Sequence, residues 1–525
     1  MGIISFLGFT LLVAVISFIA TRKTDENSSD GYFLAGRSLS AVTIAGSLLL
    51  TNLSTEQIVG LNGDAFTDGI LVMAWETLAA LAMVITAIFL LPRYLKGGLT
   101  TIPQFLERRY DTTTKAITSG LFLSGYAIIL LPIVLYTGAV AINTMFDVPE
   151  MLGVSEFASI WICVFSIGII GSIYAVFGGL KAVAVSDTIN ALGLLIGGLI
   201  IPVLGLMAIG DGSITNGLTI LMQENPEKFD AIGSSESKIP FATIFTGMML
   251  VQLFYWGTNQ AIIQRALGAK SLKEGQKGLL LASFIKILGP IIVVLPGIIA
   301  FHMFGDTLTK ADQAYPTLVK AVLPLSLVGF FAAVIFGAIL SSFNSALNSS
   351  VTLYGIDIYS EYVKKGASEK EVVNAGKRFG IFLALFAMLI APFLYYTESI
   401  FSYLQKANGC YSIPILTIIV VGYLTKRVPA IAAKVAIISG ALIYLAYVIL
   451  DSTILKGAFP HFLHIMAMVF VFNIALMLII GKLYPQETPY EQKYTKEVDI
   501  TPWKSAYAVG GVVCAIVIGV YIYFS

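Results

Sequence analysis

Apolar residues follow one another along this chain in stretches of about twenty, long enough at helical rise to cross the hydrocarbon core of a bilayer. Polar or Gly/Pro-marked breaks separate them. Fourteen stretches can be drawn, at approximately 2–20, 41–62, 70–92, 117–145, 157–177, 184–209, 241–264, 278–304, 321–358, 379–396, 399–424, 431–450, 459–481 and 505–524. They predict an all-α polytopic membrane protein with about 14 transmembrane helices. No basic residue precedes the first stretch, and Arg22 and Lys23 follow it directly, which is the pattern of a helix that stays rather than of a cleaved leader. The N-terminus is then expected outside, and with an even number of spans so is the C-terminus.

Charge tests that orientation, because Lys and Arg collect in cytoplasmic loops. With the N-terminus outside, the predicted inner loops gather most of the 32 Lys and Arg, among them Arg93, Arg108, Arg109, Lys273, Lys364, Lys365, Arg378, Lys426 and Arg427. The outer loops hold Lys228, Lys238, Lys310, Lys320 and Lys456. Composition agrees with burial in lipid: 57% of residues are hydrophobic and 12% charged, against roughly 25% charged in an average soluble domain. A net charge of +1 and the lack of a basic stripe with interleaved aromatics argue against nucleic acid as a partner. Cys163, Cys410 and Cys514 lie in or beside apolar stretches without paired spacing, so no disulfide framework or zinc site is expected. His302, His461 and His464 carry no metalloprotease or nucleophile pattern, and no enzyme activity is expected.

With no separate soluble domain, function must sit within the membrane, where an ionisable side chain costs on the order of 3 kcal/mol at a helix centre. Five call for a reason: Glu56 in TNLSTEQ, Glu76 in MAWETL, Asp187 in AVSDTIN, Lys286 in SFIKILGP and Lys406 beside Gln405 in SYLQKANG. Glu56 and Lys406 can also be read as helix-end residues that snorkel to water. The second stretch is interrupted near its middle by Thr51, Asn52, Ser54, Thr55, Glu56 and Gln57, and the seventh by Tyr255, Trp256, Gly257, Thr258, Asn259 and Gln260. Polar clusters of this kind predict helices broken at the midplane, whose freed carbonyls can coordinate a cation. Two breaks five helices apart predict an inverted five-plus-five repeat. The chain then divides into a first helix and linker (1–40), a first repeat (41–210), an outer loop (211–240), a second repeat (241–424) and additional C-terminal helices (425–525). In the ninth stretch Ser341, Ser342, Asn344, Ser345, Asn348 and Ser349 offer hard oxygen ligands to an alkali cation, or, alternatively, close helix packing. Asp187 adds a second cation position near the same helix, with Ser345.

These residues carry an extensive resemblance. YFLAGRSL, NLSTEQIVG, TIPQFLERRY, YAVFGGLKAV followed by SD, FYWGTNQAIIQRALGAKS, ADQAYP and SSFNSALNSSVTLYGIDIY occur in order from about residue 30 to about 415. In this the chain resembles the sodium:solute symporter family, and is most similar to sodium/glucose and sodium/galactose cotransporters. The resemblance implies a leucine-transporter-like fold and Na+ as coupling ion. It implies a sodium site made by the carbonyls of Leu50, Leu53 and Ala338 with the hydroxyls of Ser341 and Ser342. It also implies a sugar site of Asn52, Gln57, Glu76, Lys286 and Gln405, with Tyr255 as inner gate beside Trp256. Departures from the galactose pattern are Gln252 for an asparagine, Ala79 for a serine and Trp75 for a tyrosine of the outer gate. Glu76 and Lys286 can neutralise each other while offering acceptors and donors, and an aromatic face suits the C–H face of a pyranose. The expectation is import of a sugar or similar neutral polyol into a bacterial cell across its inner membrane. The competing readings are myo-inositol or an organic acid within the same family, and a transporter-like nutrient sensor or a channel outside it.

Overall fold

In hydrocarbon every backbone polar group must be satisfied within the protein, which restricts an open chain to helices. The structure, a computed structural model that describes residues 2–21, 28–308, 310–396, 400–455 and 457–525, is helical accordingly, with no β-strand among the described residues. Arg22, Lys23 and Lys456, used above for orientation, lie outside the described residues. The helices that matter for the site are α1 (Ala41–Asn52), α2 (Thr55–Asp68), α3 (Ala74–Ile85), α4 (Glu156–Ile209), α5 (Gly247–Gly257), α6 (Gln260–Leu267), α7 (Leu272–Lys286), α8 (Leu325–Thr352), α9 (Glu369–Ile390) and α10 (Ile400–Leu424).

Among the described residues ten helical segments are long and apolar enough to cross a membrane, or eleven if α7 and the helical pair following it, Gly289–Phe304, count as one span bent by 50°. That is fewer than the fourteen apolar stretches, and the difference lies in the first, second and seventh. The first forms the helix Gly2–Thr21, of which Thr10–Ala20 stands among the shorter apolar helices. The second and seventh are interrupted, so neither yields an unbroken span. α1 stops after 12 residues, and the seventh stretch divides into α5 of 11 residues and α6 of 8.

The fifth and sixth stretches depart in the opposite sense, since one helical run, α4, holds both over 54 residues. Gly171 packs against Phe343 while Gly197 packs against Phe331. Those two partners are about 18 Å apart along α8, whereas the two glycines would be about 39 Å apart on a straight helix. The run therefore folds back on α8, and its two halves, Glu156–Ile173 and Leu180–Ile209, each qualify as a crossing.

On the side of the basic loops, buried polar groups close the structure. Arg109 is 1% exposed; its Nε donates to the carbonyl of Gly422 at 3.0 Å, Nη1 to that of Val428 at 3.0 Å and Nη2 to that of Thr425 at 3.1 Å. It satisfies carbonyls at the end of α10 and in the loop beyond, which have no helical donor of their own. The segment 484–505, between the helices Phe462–Leu483 and Ala506–Tyr523, crosses the same side as an extended strap. Gln486 and Tyr490 donate backbone N–H groups to the carbonyls of Arg427 and Lys426, Thr495 donates to Lys96, and Leu272 donates to Asp499. Glu497 pairs with Arg37 at 2.9 Å.

Replacing Arg109 by methionine keeps the apolar stem and leaves three buried carbonyls unpaired, at about 1 kcal/mol or more each. Arg109→Met is expected to lower the thermal unfolding midpoint of the purified protein by several degrees, whereas Lys364→Met, on an exposed residue, leaves it in place. An unchanged midpoint in Arg109→Met would show that these bonds contribute nothing net.

Candidate functional site

Both interruptions fall within the predicted polar clusters. At the first, α1 ends at Asn52, Leu53 leaves helical geometry (φ −75°, ψ 53°), and Ser54 is extended (φ −85°, ψ −179°) before α2 begins. The carbonyls of the last turn of α1 lose their helical donors; that of Thr51 accepts from Ser342 Oγ of α8 at 3.0 Å. At the second, Thr258 and Asn259 separate α5 from α6, and Asn259 caps α6 with its side chain accepting from the N–H of Ala261. The freed carbonyl of Gly257 accepts from Tyr94 Oη at 2.8 Å, and Asn259 Oδ1 from Tyr126 Oη at 2.6 Å. Each break is thus held by side chains of other helices.

Beside both breaks lies a cavity of about 40 Å³, walled by Asn52, Glu56 and Gln57 of the first break, Gln252 and Tyr255 of α5, and Gln405 of α10, among others. That is room for only a few waters. Behind it Lys286 and Glu76 form an ion pair at 2.5 Å, with side chains 1% and 0% exposed. Lys286 also donates to Asn52 Oδ1, which ties the pair to the first break. Gly289 makes room for the carboxylate: a Cβ there would collide with Glu76 Oε2. Trp256 is fully buried and does not reach the cavity. Its Nε1 donates to Gln252 Oε1 at 3.2 Å, and Gln252 Nε2 donates to the carbonyl of Trp75 at 2.9 Å. Lys406, next to Gln405, points elsewhere and pairs with Asp451.

Of the residues expected to hold sodium, Ser341 and Ser342 lie against Thr51 at the first break. Leu50, Leu53, Ala338, Ser341 and Ser342 are all buried. Ser341 Oγ stands 3.5 Å from Thr51 Oγ1, which is itself 3.2 Å from Ser345 Oγ. Asp187 accepts from Ser47 Oγ at 2.7 Å. Its neighbour is a cation the sequence reading left in a loop: Arg265, fully buried, lies 3.9 Å from Asp187 and donates to Ser47 at 3.1 Å and to Ser345. The guanidinium therefore already stands between Asp187 and Ser345. Other wall residues the sequence reading did not single out for the site are Asn408 and Tyr411 of α10. Only their positions one and two helical turns from Gln405 could have signalled them.

Removing one partner of a buried ion pair leaves an uncompensated charge, a loss of about 3–5 kcal/mol. Lys286→Met and Glu76→Gln are each expected to destabilise the purified protein strongly, and the double variant to recover most of the loss. Additive losses in thermal unfolding of the four proteins would mean that the pair is not coupled.

The comparisons with known proteins agree with this architecture. A family profile described as the sodium:solute symporter family matches residues 32–440. The chain is 48% identical over 520 residues to the uncharacterized symporter YidK of Escherichia coli K12, covering 99% of this chain and 90% of that one. It is 31% identical to the sodium/glucose cotransporter of Vibrio parahaemolyticus, covering 84% of each. Its fold is similar to that of a Na+-coupled sialic acid symporter in a substrate-bound outward-open state, with a TM-score of 0.78 at 20% identity, over 94% of this chain and 99% of that one. With the profile spanning most of its length and two relatives above 30% identity over 84% or more of theirs, this integral membrane protein belongs to the sodium:solute symporter family, and Na+ is its coupling ion.

Proposed function

We propose that the protein imports a neutral, hydroxyl-rich solute, a sugar of the galactose or glucose type, by sodium-coupled alternating access. The observation that carries this reading is the charge of the cavity. Its walls hold Glu56 and the amides Asn52, Gln57, Gln252 and Gln405 but no basic side chain, and the nearest cation, Lys286, is already paired with Glu76. Such walls offer acceptors and donors to hydroxyl groups and no free cation to a carboxylate, which favours a sugar over an organic acid. Tyr255 gives the wall an aromatic face. Likeness to the sodium/glucose cotransporter of Vibrio parahaemolyticus and, at 29%, to the sodium/myo-inositol cotransporter 2 of the rabbit supports the same class. Myo-inositol is the second reading, because the serine and asparagine of the galactose pattern are Ala79 and Gln252 here.

In this mechanism sodium binds the carbonyls of Leu50, Leu53 and Ala338 and the hydroxyls of Ser341 and Ser342. It draws the first break against α8 and thereby fixes Asn52 and Gln57 in the cavity wall. Moving its charge inward supplies roughly 2.3 kcal/mol per 100 mV. The two breaks belong to the two halves of an inverted repeat, 41–210 and 241–424, that rock against each other. Coupling follows if sodium binds the outward-open arrangement more tightly than the inward-open one. Asp187 and Ser345 serve as a second cation position only if Arg265 gives up its contacts with them. The basic loops face the cytoplasm, both termini face outward, and the membrane is the inner membrane of a bacterium.

The test is uptake into proteoliposomes of labelled galactose, glucose and myo-inositol under an inward sodium gradient, with potassium as control. Accumulation of a sugar with sodium alone, reduced at least tenfold in Ser342→Ala through loss of sodium affinity and abolished in Gln57→Ala, is the expected result. Sodium-driven uptake of myo-inositol without either sugar moves the assignment to cyclitols. No uptake of any of the three, with sodium still raising the thermal unfolding midpoint, overturns the sugar reading and leaves the ion site standing.

A further inference from the structure

Outside the transport path, near the basic loops, a cavity of about 520 Å³ lies between the end of α8 and the start of α9. Its walls are Tyr354 and Tyr359 from the segment after α8, and Glu371, Asn374, Arg378 and Phe379 from α9. The helix widens where it borders this space: Leu353–Val363 is an 11-residue π-helix, a form rare in proteins and concentrated at functional sites. Tyr354 stacks on Phe379 with ring centroids 4.2 Å apart and the planes nearly parallel, which fixes one wall.

Arg378 is the cation of this recess. It is exposed, and among the described residues it makes no ion pair or hydrogen bond. Glu371, the one carboxylate of the wall, is engaged otherwise, pairing with Lys364 at 2.5 Å and accepting from the backbone N–H and hydroxyl of Ser368 at 2.9 and 3.2 Å. Asn374 and Arg378 continue a stripe along α9 that includes the exposed apolar residues Phe382, Leu385 and Leu389, which are 62, 51 and 54% exposed. That stripe is the lipid-facing side of a membrane helix. Arg378 stands one turn from Phe382 toward the basic loop that carries Lys364 and Lys365. A guanidinium at that level, on the lipid-facing side and without a protein carboxylate, meets the phosphate layer of the bilayer.

We propose that this recess is a binding site for the headgroup of an anionic phospholipid in the leaflet on the side of the basic loops. Arg378 holds the phosphate by a charge-assisted fork, Asn374 and the phenols of Tyr354 and Tyr359 hold the polar headgroup, and the acyl chains lie along Phe382, Leu385 and Leu389. The neutralised Glu371 leaves the recess free of unpaired negative charge.

The full-length protein, reconstituted in nanodiscs of phosphatidylcholine with and without phosphatidylglycerol, tests this by two readouts: the thermal unfolding midpoint, and the lipid retained in native mass spectrometry. Phosphatidylglycerol is expected to raise the midpoint and to persist as a bound adduct. In Arg378→Gln the retained adduct should fall about fivefold, the equivalent of roughly 1 kcal/mol for one basic contact, while Lys365→Gln on the neighbouring loop behaves as the parent. Arg378→Lys should retain an intermediate share, since it keeps the charge without the fork. Undiminished retention in Arg378→Gln overturns the site. Equal losses in Arg378→Gln and Lys365→Gln reduce it to diffuse surface charge, and an equal midpoint shift from inorganic phosphate in detergent assigns the recess to a free anion instead of a lipid.

Discussion

A peptide group exposed to hydrocarbon costs several kcal/mol, so a helix interrupted at membrane depth obliges the surrounding protein to satisfy whatever the interruption releases. Much of this molecule is arranged around that obligation. Ser342 of α8 answers the carbonyl of Thr51, and Tyr94 answers that of Gly257. Tyr126 and Asn259 bond to each other across the second break, and Lys286 reaches Asn52 at the first. The helices that supply these groups are held in place by the bonds they make, so the breaks organise their neighbourhood as much as they depend on it. A region tied together in this way can change shape only by exchanging one set of partners for another. At the proposed sodium site an arriving cation competes for the hydroxyl of Ser342, which now answers Thr51, and so is suited to drive such an exchange.

The buried charges obey a related rule. Lys286 with Glu76 and Arg265 with Asp187 bring two cations and two carboxylates into the interior without net charge. Around the cavity this leaves a surface of amides and one further carboxylate, Glu56. Under the proposed sugar reading, discrimination against anionic solutes needs no dedicated repulsive residue and follows from the pairing that makes burial of Lys286 tolerable in the first place.

Much of this was legible in the residue pattern, and what was not has identifiable causes. The breaks could be read from TNLSTEQ and YWGTNQ because such clusters of polar residues do not suit a lipid-embedded helix, and both interruptions fall inside them. Glu76 and Lys286 stood out singly by their cost; their partnership spans more than two hundred residues and only the resemblance implied it. Arg265 was hidden by its position at the end of the seventh apolar stretch, where a basic residue reads as the start of an inner loop. Lys406 looked similar to Lys286 in sequence, but its partner Asp451 lies at the end of another helix. The fifth and sixth stretches were legible as two crossings, and the two halves of α4 each qualify as one. The π-helix after α8 carries no pattern of its own, since its residues would suit an α-helix equally well.

The strap on the basic side has a consequence for the order in which the protein is made. Glu497 reaches back to Arg37, Thr495 to Lys96 and Asp499 to Leu272, so these bonds join residues synthesised early to a segment that emerges only when the chain is almost complete. At about 5–20 residues per second, the early loops wait roughly ten seconds to a minute and a half for their partners, with their polar groups turned to water in the meantime. Closure of this side is therefore one of the last events of biogenesis, and a ribosome that stalls before the strap emerges leaves a chain with most of its helices made and one side still unfastened.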